Sequence, residues 1–492
     1  MIVITKSGAV RGRQEKGMYA FKGIPYARPP VGALRFKPPE PAEPWDCVRD
    51  ATAYGSRALQ ERREPGYTYA EDCLNLNVWT PAADDGRRPV IFFIHGGGHF
   101  EGSNSDEKAS GPRLVGSRDA VMVSINYRLG AFGYLHVAHV LGEAYATSGN
   151  CGLLDQLLAL RWVRDNIAAF GGDPDQVVLM GQSAGGKSVA SLMAAPGAQG
   201  LYRRAIIQSG GVQCIRDRET AESLANLTLH ALGIDAGGER AEGLLHMSAE
   251  TLLAGQNEAA RRISPGHLFG PVIDGLTIAE PPEAYLASGR ARGVPVMIGY
   301  ARDELASEGA GAPADDAEAL EKLCYRFGAN ANYLNERYRS LLGRSDPQEA
   351  YGALLTQYVY GNASLALTQL LAESGCDVWC YRWDFAGARP PAHSSEMPYL
   401  FGVAADEDPE GYLPEHLGMA RLLADTWMAF ALTGDPNHPG LPAWPCCSTG
   451  EFGYRLVLDD PPRVEPLNLQ AYDKRFPMQV IRLHASDPAH AR

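Results

Sequence analysis

No stretch of about 18 uninterrupted apolar residues occurs anywhere in the chain, so nothing in it reads as a membrane-spanning helix. The opening MIVITKSGAVRG lacks the apolar core of a secretory signal, which points to a cytoplasmic protein. In that setting the sequons at Asn226 and Asn362 carry no meaning. Zinc-type C-x-x-C pairs are missing as well. The nine cysteines are scattered from Cys47 to Cys447, an odd number expected to stay largely reduced and partly buried. Positive charge is in short supply: 45 Lys and Arg against 58 Asp and Glu leave a formal net charge of -13, which repels nucleic acid phosphates and anionic lipid alike. Nucleic acid and membrane partners are thereby excluded, and small-molecule chemistry is the starting expectation. Neither a repeat nor a long linker interrupts the chain, so residues 1–492 read as a single large domain. Its 45% hydrophobic content suffices for a sizeable core.

What is present is an alternation of short apolar runs with helical patterns. The clearest strands are Val90 to Ile94, Ala120 to Asn126, Gln176 to Met180, Arg204 to Gln208, Val294 to Ile298 and Asp377 to Trp383. Such alternation predicts an α/β fold, a mostly parallel sheet with helices on both faces. Leu153, Leu157, Leu160, Val163 and Ile167 recur at helical spacing and predict the buried stripe of a long helix ending near Gly171. Residues 62–72 (RREPGYTYAED) and 404–415 (AADEDPEGYLPE) read as surface loops.

Residues 180–188, MGQSAGGKS, spell two motifs at once. From Gly181 they match G-x-x-x-x-G-K-[ST], the phosphate-cradling P-loop, and also G-x-S-x-G, the nucleophile elbow of a hydrolase. A P-loop also needs an acidic residue at the end of a second apolar strand to hold magnesium. The nearest candidate, Leu456 to Asp460, is short and runs straight into Pro461-Pro462. The elbow makes stricter demands, and they are met. A nucleophile perched between strand and helix has a strained backbone and needs small residues two before and two after it, here Gly181 and Gly185. The helix starting near Ala184 would aim its N–H groups at a developing oxyanion. Lys187 and Ser188 are then expected to be ordinary residues of its first turn.

Acyl transfer also needs hydrogen-bond donors opposite the nucleophile, and His95 to Gly98 (HGGG) follows a strand directly. Glycines let backbone N–H groups approach a reacting carbonyl closely, making Gly97, Gly98 and Ala184 the natural donors. The base and its orienting acid should come later, in the order serine, acid, histidine, just beyond strand C-termini. His393, in PPAHSSEMPYLFG, follows the strand DVWCYRW. Asp303 and Glu304, in IGYARDELASE, follow VPVMI, and the pattern does not choose between them.

Longer motifs carry a resemblance. FKGIPYARPPVGALRFKPP, EDCLNLNVWTP, HGGG, INYRLGAFGYL, NCGLLDQLLALRWVRDNIAAFGGDPDQVVLMGQSAGG and WMAFALTGDPNHPGLPAWP span nearly the whole chain. Together they resemble the type-B carboxylesterases, the family of bacterial para-nitrobenzyl esterases, animal carboxylesterases and cholinesterases. The resemblance implies an α/β-hydrolase fold with loop insertions around an active-site gorge, a small-molecule ester substrate, and no metal or organic cofactor. It implies Ser183 as nucleophile, His393 as base, Glu304 rather than Asp303 as acid, and Gly97, Gly98 and Ala184 as the oxyanion hole. Serine attack would give an acyl-enzyme that water then hydrolyses.

The chain departs from the family pattern in places. Gln182 stands where relatives usually carry glutamate beside the nucleophile, which removes a charge that would favour cationic substrates. The segment Ser56 to Asp72 holds no tryptophan of the cholinesterase kind, and Ser56 occupies about the place where secreted relatives have the disulfide partner of Cys73. Choline esters and the secreted disulfide are therefore not expected. Gln182, His99 and Phe100 are the substrate-pocket candidates, with shaping of the oxyanion loop as the alternative role for His99. Glu396 matches a family motif and reads as a supporting carboxylate, while Ser209, in QSG, either hydrogen-bonds near the site or serves the core. His95 and His99 lack the acidic or cysteine partners of a metal site. The rival from the same superfamily is the catalytically silent adhesion branch, whose members usually lose the nucleophile or its partners.

Overall fold

Apolar runs buried on both faces have no solvent side to alternate toward, and such runs form the centre of the sheet here. The computed structural model describes residues 1–474 apart from 107–111, 116–117, 235–240, 263–267, 306–311, 343–345, 388, 402–413 and 448–451. In chain order the first strands are Ile2–Thr5 (β1), Gly8–Arg11 (β2), Arg13–Glu15 (β3), Met18–Pro25 (β4), Arg49–Asp50 (β5), Arg57–Ala58 (β6), Tyr69–Ala70 (β7) and Asn75–Thr80 (β8). Then follow Arg88–Ile94 (β9), Val121–Ile125 (β10), Gly172–Gln182 (β11), Arg204–Gln208 (β12), Val296–Ala301 (β13), Val378–Trp383 (β14), Phe452–Leu458 (β15) and Arg463–Asn468 (β16). Eleven of them form one sheet in the order β16-β15-β14-β13-β12-β11-β9-β10-β8-β4-β3. The run from β15 to β10 is parallel throughout, and antiparallel β16 on one side and β8, β4 and β3 on the other complete it. This is the α/β-hydrolase fold.

Successive residues of β9 point to opposite faces, as strand geometry requires. Val90, Phe92 and Ile94 join one buried cluster and Ile91 and Phe93 another, each at most 1% exposed. Burying one such side chain contributes about 1.5–3 kcal/mol, so the central strands supply much of the driving force. The expected helical stripe lies on Cys151–Asn166, which tightens into a 3-10 turn over Ile167–Phe170 and ends at Gly171 with φ 79°. A positive φ of this kind is where glycine serves as a helix stop.

All six strands read from sequence are present, with one shifted: β13 runs from Val296 to Ala301 instead of ending at Ile298. Gly299 does not break it, because the Tyr381 ring of β14 fills the space a side chain would occupy. Of the two expected loops, residues 62–72 are mostly exposed apart from the short β7; residues 404–413 lie outside the described residues, and Pro414 and Glu415, expected in the second loop, instead open the helix Pro414–Thr433. None of the described cysteines forms a disulfide. Instead the segment after Ser56 is held by Arg57, whose guanidinium lies 3.5 Å from the Tyr67 ring centroid and bonds Glu64 Oε2 at 2.9 Å and Ser105 Oγ at 2.8 Å. No helix among the described residues is long and apolar enough to cross a membrane.

Candidate active site

The chain steps from β9 outward to β10 and returns inward to β11, so the loops after β9 and β11 diverge and leave a crevice at their C-terminal ends. Ligands of open α/β sheets bind at such switch points. His95 to Gly98 follow β9, Ser183 follows β11, Glu304 follows β13 and His393 follows β14. The P-loop reading fails on the same topology. β15, which precedes Asp459, is separated from β11 by three strands, and at about 4.8 Å per strand spacing no metal could bridge them.

Ser183 has φ 58° and ψ -122°, a region a non-glycine residue occupies only when its surroundings compel it. Ser183 N–H donates to Gln208 O at 2.9 Å. On either side glycine is obligatory: a Cβ on Gly181 would stand 2.3 Å from the carbonyl carbon of Gly185, and one on Gly185 would stand 2.0 Å from Ile94 O. The helix Ala184–Met193 begins at the next residue.

His393 Nε2 lies 2.8 Å from Ser183 Oγ, and His393 Nδ1 lies 2.5 Å from Glu304 Oε2. Glu304 is fully buried. Its other oxygen, Oε1, accepts hydrogen bonds from Ser209 Oγ at 2.6 Å and Ala301 N at 2.7 Å, so both oxygens are occupied. The His393 backbone N–H closes the arrangement by donating to Glu304 O at 3.0 Å. Asp303 points elsewhere: its half-exposed carboxylate pairs with Arg302 at 2.9 Å. The pattern left these two carboxylates equivalent, and the geometry brings only Glu304 to the histidine.

In the glycine loop Gly97 has φ 103° and Gly98 φ 64°, and Gly97 O accepts from Phe100 N and Glu101 N, both at 2.9 Å. Among the described residues the N–H groups of Gly97, Gly98 and Ala184 donate to no loop or turn carbonyl. His99 is 1% exposed and turned inward, with Nε2 3.2 Å from Ser188 Oγ. It lines neither of the two large cavities, so of its two roles the structure supports bracing of the loop against the elbow helix. Burial, with the Lys187 and Arg216 charges nearby, pushes its imidazole well below the usual histidine range and leaves it neutral at pH 7. Lys187 and Ser188 lie on the first turn of that helix. Both are buried, and Ser188 also accepts from Gln156 Nε2 at 3.1 Å. A helix that starts directly from the central strand β11 has no solvent face on its first turn.

Two cavities of about 790 and 640 Å³ meet beside Gln182 and His393. Ser183, Gly97, Gly98 and Phe100 line the smaller, while Phe93, Met397 and Tyr399 supply an apolar wall to the larger. Gln182 lines both cavities and Phe100 the smaller one. Among the described residues no three His, Cys, Asp or Glu side chains converge as a metal site.

Glu396 is buried behind the histidine and accepts from Gln208 Nε2 at 3.2 Å, while Gln208 Oε1 accepts from Trp427 Nε1 at 3.2 Å. Burial, and then the neighbouring Glu304 charge, push its carboxyl up to about 7. An acid whose folded pKa exceeds its unfolded one holds its proton more tightly when folded, so stability falls as pH rises through the interval and the penalty is complete above about 7. Glu396→Gln removes that penalty. Its stability relative to wild type should rise by about 1–3 kcal/mol between about pH 5 and pH 8 in thermal unfolding. A difference that does not change with pH would contradict it.

Sequence reasoning passed over Tyr360, whose ring packs 5.0 Å from the His393 ring, because nothing in its local pattern sets it apart. The family model described as the carboxylesterase family matches residues 1–474. The para-nitrobenzyl esterase of Bacillus subtilis (strain 168) is 37% identical over 94% of this chain and 96% of its own. The phenmedipham hydrolase of Pseudarthrobacter oxydans is 34% identical over 93% and 95%. Among solved structures, a carboxylesterase of Geobacillus stearothermophilus superimposes with a TM-score of 0.84 at 38% identity, covering 94% of this chain and 97% of that one. With a model match over almost its full length and relatives sharing a third of its residues, the chain belongs to the carboxylesterase family.

Proposed function

We propose that the chain is a serine carboxylesterase that hydrolyses small, neutral carboxylic esters through an acyl-enzyme on Ser183. The observation that carries this reading is the unbroken hydrogen-bond chain from Ser183 Oγ through the His393 ring to the buried Glu304. Glu304 accepts a hydrogen bond from His393 Nδ1–H, which fixes the proton on that nitrogen and leaves the Nε2 lone pair facing the serine hydroxyl. As Ser183 Oγ attacks the ester carbonyl, His393 takes its proton, and the N–H groups of Gly97, Gly98 and Ala184 receive the charge on the carbonyl oxygen. His393 then protonates the departing alcohol. Water, activated by the same imidazole, attacks the acyl-enzyme and releases the acid. Two features support a neutral substrate: the amide of Gln182 beside the nucleophile, and the apolar wall of the larger cavity.

A fluorophosphonate forms its phosphonyl–serine bond only when an activated serine attacks phosphorus. Labelling is expected to reach about one adduct per chain. Peptide mapping by mass spectrometry should place it on Ser183. Folded wild-type protein that remains unlabelled, or an adduct on another serine, would overturn the proposal.

A further inference from the structure

His393 gains a positive charge at each step of the proposed reaction, so what faces its ring matters as much as what its two nitrogens touch. One face is covered by Tyr360, with ring centroids 5.0 Å apart and planes inclined at 32°. That lies inside the range of about 6 Å over which an aromatic face attracts a cation. Tyr360 is 6% exposed, so its ring is largely shielded from water. The ring already faces one cation: Lys187 Nζ lies 5.2 Å from its centroid.

The backbone carrying Tyr360 is unusual. Residues Thr356–Gly361 form a π-helical turn inserted between the helices Pro347–Leu355 and Asn362–Glu373. Such turns are rare and widen the helix locally, and they persist where tertiary contacts offset their poorer packing. Here the contacts converge on the site. Thr356 Oγ1 accepts from Leu305 N at 3.0 Å, gripping the residue after Glu304. Val359 O accepts from Gln213 Nε2 at 3.3 Å, tying the turn to the loop that follows β12. One short segment therefore touches the neighbour of the acid and presents an aromatic face to the base.

We infer that Tyr360 is a positioning residue of the proposed esterase, its π-face holding the His393 ring and favouring the imidazolium that forms during acyl transfer. The inference rests on the ester-hydrolase reading. The neutral imidazole of the resting state gains little from the ring, so the effect falls on the chemical steps and not on substrate affinity.

The test replaces residue 360 by phenylalanine and then by mono-, di- and trifluorophenylalanine. These rings have nearly the same shape but progressively weaker negative faces. Acylation by an aryl acetate is followed in single turnover. Tyr360→Phe should keep the acylation rate within about twofold, because it preserves the aromatic face turned to the imidazole. Along the fluorinated series the rate should fall stepwise, by about tenfold overall, with the substrate dissociation constant unchanged. Tyr360→Leu should lose about as much as the last member of the series. A rate that stays flat through the fluorinated rings would show that Tyr360 only fills space and would overturn the inference. Wild-type turnover in the same assay separates the two ideas: an inactive wild type overturns the esterase reading, whereas an active wild type with a flat series overturns this inference alone.

Discussion

Glu304→Gln is expected to lower kcat on an aryl acetate by roughly ten-thousand-fold while leaving the fold intact, because the change acts on which imidazole nitrogen carries the proton. In the native arrangement Glu304 Oε1 accepts from both Ser209 Oγ and Ala301 N, and Oε2 accepts from His393 Nδ1. A glutamine keeps its carbonyl oxygen where two donors already point, which turns its NH2 group toward His393. Donor would then meet donor. The imidazole proton must move to Nε2, where it faces Ser183 Oγ and removes the lone pair that should accept the hydroxyl proton. Asp303→Asn is the matched control, since that side chain pairs with Arg302 away from the histidine, and it should keep activity within about twofold. Steady-state kinetics on the two variants decide the matter: full activity in Glu304→Gln together with a loss in Asp303→Asn would overturn the assignment of the acid.

Gly97→Ala should lower kcat by about 100- to 1,000-fold, the usual loss when a donor to the oxyanion is misplaced. The added methyl would stand 2.1 Å from Glu101 O, and the residue already has φ 103°, a conformation that L side chains rarely adopt. Because Gly97 O holds both Phe100 N and Glu101 N, relieving the clash must open that turn and swing the Gly97 and Gly98 N–H groups away from the cavity. The loss should appear in kcat more than in KM, since a neutral ester carbonyl asks less of these donors than an oxyanion does. Fluorophosphonate labelling should slow in parallel, while circular dichroism stays native. A variant with unchanged kcat would show that the loop takes no part in stabilising the charge.

Much of this was legible without coordinates. Apolar runs such as VIFFI and QVVLM are long enough, and bounded clearly enough, to declare central strands. β8 was not declared, since its asparagines read as polar. In the fold Asn77 is fully buried and satisfied, accepting from Gly23 N at 2.9 Å and donating to Asn104 O at 3.0 Å. Hydrogen bonds of that range depend on partners that local pattern does not reveal. The elbow was legible because its constraint is local: Gly181 and Gly185 are excluded from having a Cβ by atoms within a few residues or on the adjoining strand. His99, Lys187 and Ser188 were less so. Whether a residue on a first helical turn meets water or another element is set by what packs above it.

The sequence by itself therefore determined the six central strands β9 to β14, the glycines that frame Ser183 and the family. Each of these is written in short-range patterns of size and polarity that steric exclusion and burial impose on neighbouring residues. Only the tertiary structure showed why Glu304 and not Asp303 meets the imidazole, buried Lys187 and Ser188, and laid Tyr360 across the imidazole. Those outcomes depend on residues that are distant in sequence and adjacent only after the strands have paired, as with Glu304 and Ser209, which meet because β12 and β13 lie side by side.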